Sequence, residues 1–207
     1  MLELQSALHL AKGDIRICDG VTIIGPVQIN AGTRMFPGCV IGCPAEVYDR
    51  EKEDADSVIF IGGFVTLREG VVVQRGLFGA PRTYIGDNCY VMDGCHIAHN
   101  CVLQPGAILS PKVVLGGHTR IGAQANLGIG SMTHQYVMVG AWAMVGMGAV
   151  VLDDVPVGAT AVGNPARTIG LNRVGLERHG VTMDMIVAEQ KQFQEVRSLC
   201  SKRKLMG

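Results

Sequence analysis

A six-residue period runs through this chain and limits what it can fold into. Stepping by six from Ile85 lands on Val91, Ile97, Leu103, Leu109, Leu115, Ile121, Leu127, Thr133, Val139, Val145, Val151 and Val157, and all but Thr133 are branched aliphatics. Upstream the same step gives Ile17, Ile23, Ile29, Met35 and Ile41, then Ile61, Leu67 and Val73. Two residues before most of these stands a small side chain, as at Cys89, Cys95, Cys101, Ala107, Thr119 and Ala125, and glycine often follows, as at Gly86, Gly116, Gly122 and Gly128.

Strand side chains alternate between faces, so positions two apart point the same way. One large aliphatic and one small residue then fill an inner face, and the next two residues turn a corner where glycine or asparagine tolerates positive φ. Three such faces close a coil of about eighteen residues, and stacked coils bury a continuous core. The expected fold is an all-β solenoid, a parallel β-helix of hexapeptide repeats. A sandwich of short strands is the competing arrangement, but its strands would be spaced less regularly.

Composition agrees. The 28 glycines among 207 residues are roughly twice the usual share, and aromatics reach only 5%, which suits a narrow core closed by many turns. With 48% hydrophobic and 17% charged residues, the chain is not disordered. A formal net charge of zero argues against a nucleic-acid binder that relies on a broad basic surface. The start lacks a basic and then apolar leader, and no apolar run approaches the roughly 18 residues that span a bilayer. The 7 cysteines are odd in number with no CxxC pair, so a reducing cytoplasmic setting is expected. Cys89, Cys95 and Cys101 fall in the small inward slots and read as core residues.

The β-helix is expected over 1–168. The phase breaks near 43–57, and a poorly fitting stretch near 75–84 marks a second excursion. Segment 169–207 reads as a short helical C-terminal piece. Thr182 would cap a helix over 184–199 whose apolar positions are Met185, Ile186 or Val187, Phe193, Val196 and Cys200. That helix is expected to cover the open end of the β-helix.

Stacking turns sequence spacing into geometry. Residues one coil apart lie about 4.8 Å from each other. His99, Gly117, Gln135 and Asp153 form one column at a corner, and Asn100, His118 and Tyr136 form the next. His96 and His134 lie near the same edge. Core packing does not explain this clustering, because none of these is an inward slot. Imidazoles titrate near neutral pH and serve as general bases. A glycine one coil away can offer a bare N–H to a developing oxyanion. His99 with Gly117 is therefore a minimal site for attack of a hydroxyl on a thioester. Surface polarity and a zinc site of three histidines are the alternatives. The zinc pattern wants two ligands five residues apart, and no such pair is present.

The motifs His96-Ile97-Ala98-His99-Asn100-Cys101, Gly116-Gly117-His118, His134-Gln135-Tyr136 and Gly163-Asn164-Pro165, with the run from Gly170 through Gly180, resemble the UDP-N-acetylglucosamine acyltransferases of lipid A biosynthesis. The resemblance covers most of the chain and weakens before about Ile59. It implies a left-handed coil, which spacing alone cannot give since ordinary parallel crossovers are right-handed. It implies a homotrimer with sites between subunits in the cytoplasm of a Gram-negative bacterium, no cofactor, no resident metal and no integral membrane association. Acyl carrier protein would be the donor and a UDP-amino sugar the acceptor.

By the same resemblance, His99 would be the base and Gly117 the backbone donor. His96, Asn100, His118, His134 and Gln135 would line the substrate cleft, Asn172 and Arg178 would hold the nucleotide phosphates, and Met147 would end the acyl groove and favour a shorter chain. The sequence departs from the family at Asn100, where aspartate is usual, at Gln74 in place of histidine, and at Val174 and His179. The C-terminal segment is shorter than the family's. These departures leave open a different nucleotide sugar or an amine as acceptor, or a trimeric scaffold with a decayed site.

Overall fold

The structure, a computed structural model, describes residues 8–10, 13–48, 57–77 and 82–204. Its strands fall into three sheets of seven, nine and seven, and each sheet takes every third strand of the sequence except at the end of the nine-stranded one, which closes on the last two strands, Ala159–Gly163 and Ala166–Leu171. Face A runs from Leu8–Leu10 through Val27–Ile29, Ile59–Ile61, Tyr84–Ile85, Val102–Leu103 and Arg120–Ile121 to Met138–Val139. Face B includes Tyr90–Val91, Ile108–Leu109, Asn126–Leu127 and Met144–Val145, and face C includes Val72–Gln74, His96–Ile97, Val114–Leu115 and Met132–Thr133. Pairing between coils is parallel and in register, with Ile97 on Leu115 and Leu115 on Thr133.

The aliphatic column is the core. Ile85, Ile97, Leu103, Leu109 and Leu115 are fully buried, and each contributes roughly 1.5–3 kcal/mol of transfer free energy. The small column lies inside as expected. Cys89, Cys95 and Cys101 donate their thiols to the carbonyls of Gln104, Ser110 and Gly116 at 3.3, 3.1 and 3.2 Å. Burial pushes these thiols up to about 11, about 11 and about 12, so they stay protonated and unreactive. Thr133 is satisfied in its aliphatic slot: its hydroxyl lies 3.0 Å from that of Thr119 and accepts the Gly116 N–H at 3.3 Å.

Both excursions leave the same corner. An uninterrupted coil would pair Ile29 with Val47 and Ile61 with Gly79, whereas the partners found are Ile29–Ile61 and Ile61–Ile85. The extra residues lie between faces C and A, after Val40–Cys43 and after Val72–Gln74. The middle of each, 49–56 and 78–81, lies outside the described residues.

The expected period ends early. Val139 bridges to Val155, not to Val157, and Val145 pairs with Ala161, so the last turn between faces C and A is shortened. Val157 is displaced outward into a second apolar cluster with Met138, Leu176, Ile186 and Phe193. That cluster seats the C-terminal helices α1 (Arg173–Arg178) and α2 (Met183–Lys204).

The Thr182 hydroxyl accepts the Met185 N–H at 3.3 Å at the start of α2. Of the apolar positions expected to face inward, Ile186, Phe193 and Val196 do so, whereas Met185 and Val187 are exposed. The helix is expected from the sequence to cover the open end of the β-helix, and its apolar residues pack instead on Met138, Val157 and Leu176. It lies beside the last coils, where Gln190 Oε1 accepts the Val157 N–H at 3.0 Å. The end of face B is closed by an antiparallel hairpin, Ala159–Gly163 with Ala166–Leu171. Among the described residues no helix is long and apolar enough to cross a membrane.

Candidate active site

The corners of the coil differ in what occupies their left-handed position. Between faces B and C it is glycine at Gly70, Gly94, Gly130 and Gly148, with Lys112 the exception in that stretch. Between faces C and A it is Asn100, His118 and Tyr136, at φ of 58°, 61° and 65°. An L-residue there costs roughly 1–2 kcal/mol, a cost the opposite corner avoids with glycine. The corner between faces A and B also carries non-glycine residues in this position, at Phe64, Asn88, Gln124 and Trp142, so what distinguishes the edge between faces C and A is the kind of side chain gathered there and not the backbone conformation.

The side chains converge as the column spacing predicts. The His99 ring meets the His118 ring edge-on, with centroids 5.1 Å apart, and His118 stacks on Tyr136 at 4.4 Å and 5° between planes. Backbone bonds hold the register: His118 N–H donates to the His99 carbonyl at 3.0 Å and Tyr136 N–H to the Gly117 carbonyl at 2.9 Å. Burial pulls His118 down to about 4, with nearby His99 adding to the shift. His118 is therefore neutral at neutral pH.

Gly117 is glycine for space, not for conformation, since it is not among the positive-φ glycines. A Cβ there would sit 2.5 Å from both Cε1 and Nε2 of His99. The imidazole thus lies against the bare backbone of the next coil. Among the described residues no acceptor takes the Gly117 N–H.

The tautomer of His99 follows from its neighbours. Asn100 Oδ1 lies 2.8 Å from His99 Nδ1 and also accepts the Leu77 N–H at 3.1 Å. An atom that accepts from an amide is the oxygen, so Nδ1 carries the proton and Nε2, on the Gly117 side, presents its lone pair. Three residues not anticipated from the sequence as site members complete this support. Gln74 Oε1 accepts the His99 N–H at 3.2 Å, and the Thr83 hydroxyl donates to the Gln74 carbonyl at 2.8 Å while accepting the Asn100 N–H at 2.9 Å. With Leu77 they belong to the second excursion and its two ends, so a simple coil count does not place them.

Other expected site residues stand apart within one chain. Among the described residues neither His96, on the outer side of face C, nor the exposed His134 makes a ring contact or hydrogen bond with His99. His134 Nδ1 instead lies 3.2 Å from the Gln135 carbonyl, and Gln135 is also exposed. Asn172 caps α1, accepting the Gly175 N–H at 3.1 Å and donating to the Trp142 carbonyl at 2.9 Å at the corner between faces A and B. The exposed Arg178 ends the same helix. Met147 is 77% exposed at the corner between faces B and C. Among the described residues no three His, Cys, Asp or Glu side chains are grouped as metal ligands would be.

Residues 82–117 match the bacterial transferase hexapeptide family (six repeats). A UDP-N-acetylglucosamine acyltransferase structure from Campylobacter jejuni is 28% identical, with a TM-score of 0.77 over 91% of this chain and 75% of that one. The Francisella novicida UDP-N-acetylglucosamine acyltransferase superposes with a TM-score of 0.80 at 24% identity, covering the same shares, 91% and 75%. Fold and repeat define a left-handed parallel β-helix of the hexapeptide-repeat transferase class.

Two curated relatives narrow the class, both named acyl-[acyl-carrier-protein]–UDP-N-acetylglucosamine O-acyltransferase. The Synechocystis protein is 37% identical over 84% of this chain and 62% of its own length. The Sinorhizobium fredii protein is 35% identical over 88% of this chain and 67% of its own. The chain belongs to this acyltransferase family. It spans less than two thirds of the Synechocystis relative, at 62% of its length.

Proposed function

We propose that this chain transfers a (hydroxy)acyl group from acyl carrier protein to the 3-hydroxyl of UDP-N-acetylglucosamine or a related UDP-amino sugar, with His99 as general base. The observation that carries the reading is the pairing of His99 Nε2 with the open backbone of Gly117. The relatives' names supply the donor and acceptor.

In the proposed step the sugar hydroxyl gives its proton to Nε2 as its oxygen attacks the thioester carbonyl. The Gly117 N–H donates to the oxyanion. Collapse breaks the carbon–sulfur bond, and the proton on Nε2 leaves with the thiol. Asn100 holds the imidazole in the required tautomer, but it cannot stabilise the imidazolium as a carboxylate would. Neutral His118 would form a wall of the cleft that carries no competing charge.

His96, His134 and Gln135 would complete the substrate cleft, and Asn172 and Arg178 would hold the nucleotide phosphates. Met147 would end the acyl groove. The protein would work as a cytoplasmic homotrimer, each site shared between neighbours, in lipid A assembly. A decayed scaffold is the second reading, favoured by the neutral Asn100.

Incubation with hydroxyacyl carrier proteins and a panel of UDP-sugars, with His99→Ala as control, tests both. Turnover that vanishes in His99→Ala supports the enzyme. Absence of both turnover and sugar binding supports the scaffold.

A further inference from the structure

Helix α2 reaches the corner of His118 and Tyr136 through Arg197. Arg197 Nη1 donates to the Tyr136 carbonyl at 3.0 Å, and Arg197 Nε lies 2.7 Å from Asp154 Oδ2. The two side chains are 35% and 21% exposed, so the pair is partly shielded from water. Asp154 is itself anchored, because its Oδ1 accepts the Met138 N–H at 2.8 Å. A single planar guanidinium thus spans a corner carbonyl and a fixed carboxylate, a geometry that suits arginine's rigid fork and not lysine's point charge.

The carbonyl it grips belongs to a residue under conformational strain. Tyr136 sits at φ 65°, and its ring is the plane on which His118 stacks. Fixing the peptide that follows an unfavourable φ restrains the ring direction. The Tyr136 N–H meanwhile holds the carbonyl of Gly117. The contacts therefore run from α2 to Tyr136, from Tyr136 to His118 and Gly117, and from those to His99, one coil at each step.

We infer that Arg197, held by Asp154, is a positioning residue that locks Tyr136 against His118 and so keeps the wall beside His99 fixed. The kinetic part of this inference rests on the acyl-transfer reading, whereas the structural part does not.

Arg197→Met keeps the aliphatic stem and removes both fork contacts. Histidine ring NMR reads His118 without any substrate. In Arg197→Met its titration midpoint is expected to rise by about one unit or more toward the free value as the stack loosens. If the chain transfers acyl groups, kcat should fall on the order of 10-fold while KM for the sugar nucleotide stays within about two-fold. Arg197→Lys keeps the ion pair and loses the fork, and should fall between. Asp154→Asn carries the same readouts if Arg197→Met does not fold.

An unchanged His118 titration in a folded Arg197→Met protein overturns the inference. A raised KM with unchanged kcat also overturns it, since Arg197 would then bind substrate. Turnover that survives in His99→Ala would sink the proposed base and leave the His118 measurement able to decide the role of Arg197.

Discussion

At the scale of single residues, the corner is a problem of space and proton placement. Gly117→Ala puts a methyl where His99 Cε1 and Nε2 already lie, with a Cβ at 2.5 Å. The imidazole is restrained by Asn100, so it cannot swing away freely. The expected result is a fall in kcat of about 10²-fold with a lowered melting temperature, because the methyl can be admitted only if the ring gives up its bond to Asn100 or the two coils part. Steady-state kinetics and a thermal melt check this. Asn100→Asp tests the missing charge. The Leu77 N–H and His99 Nδ1 would still bond the same oxygen, and the new carboxylate would stabilise the imidazolium, raising kcat/KM on the order of 10-fold at neutral pH. An unchanged rate would show that charge beside the base is irrelevant here.

His118 gives a pH signature at the same scale. Its folded pKa, at about 4, lies below the unfolded value near 6.5, so the unfolded chain binds more protons between those values. The contribution is harmless above the unfolded pKa, and stability falls as pH drops through the window. Denaturant midpoints measured between about pH 7 and 4.5 should decline more in the wild type than in His118→Gln. Parallel declines would mean that His118 is not the group responsible.

At the scale of elements, the six-residue column was legible because each inner slot is set by one contact with the coil before and one with the coil after. His99 and Gly117 were legible for the same reason, being one coil apart at a corner. Three things were not. The shortened turn at Asp153–Val155 moves Val157 outward, yet valine fits either slot, so composition gives no warning. The inward face of α2 uses Ile186, Phe193 and Val196, with Met185 and Val187 left exposed. Which apolar residues of so polar a helix turn inward depends on where Met138, Val157 and Leu176 lie.

The third is the support from Gln74, Leu77 and Thr83, which sit where the chain leaves the period and returns to it. Thr83→Val tests their role. It leaves the buried Asn100 N–H and Gln74 carbonyl without the bridging hydroxyl, at a cost of about 1–3 kcal/mol. It should also lower kcat by loosening Asn100 and through it His99. Chemical denaturation read beside kinetics separates the two effects, and a stable, fully active variant would show that the excursion does not brace the base.

At the scale of the whole molecule, one chain does not gather everything the proposed reaction needs. His99 stands at the corner between faces C and A, whereas Asn172 reaches the Trp142 carbonyl at the corner between faces A and B and Arg178 ends the helix that Asn172 caps. Val114, Ile129, Met132 and Met147, on and beside the outer surface of face C, are 40%, 54%, 43% and 77% exposed. A stripe of this kind on an isolated chain is what contact between subunits would cover. If each site joins His99 of one subunit to Arg178 of its neighbour, two inactive variants should complement each other. His99→Ala and Arg178→Ala proteins, unfolded together and refolded in equal amounts, would regenerate intact sites at about a quarter of the interfaces in a cyclic homotrimer. The recovered activity should approach that fraction, while each variant refolded alone stays at its own low level. A mixture no more active than its components would place both residues within one subunit's site and remove the case for a shared one.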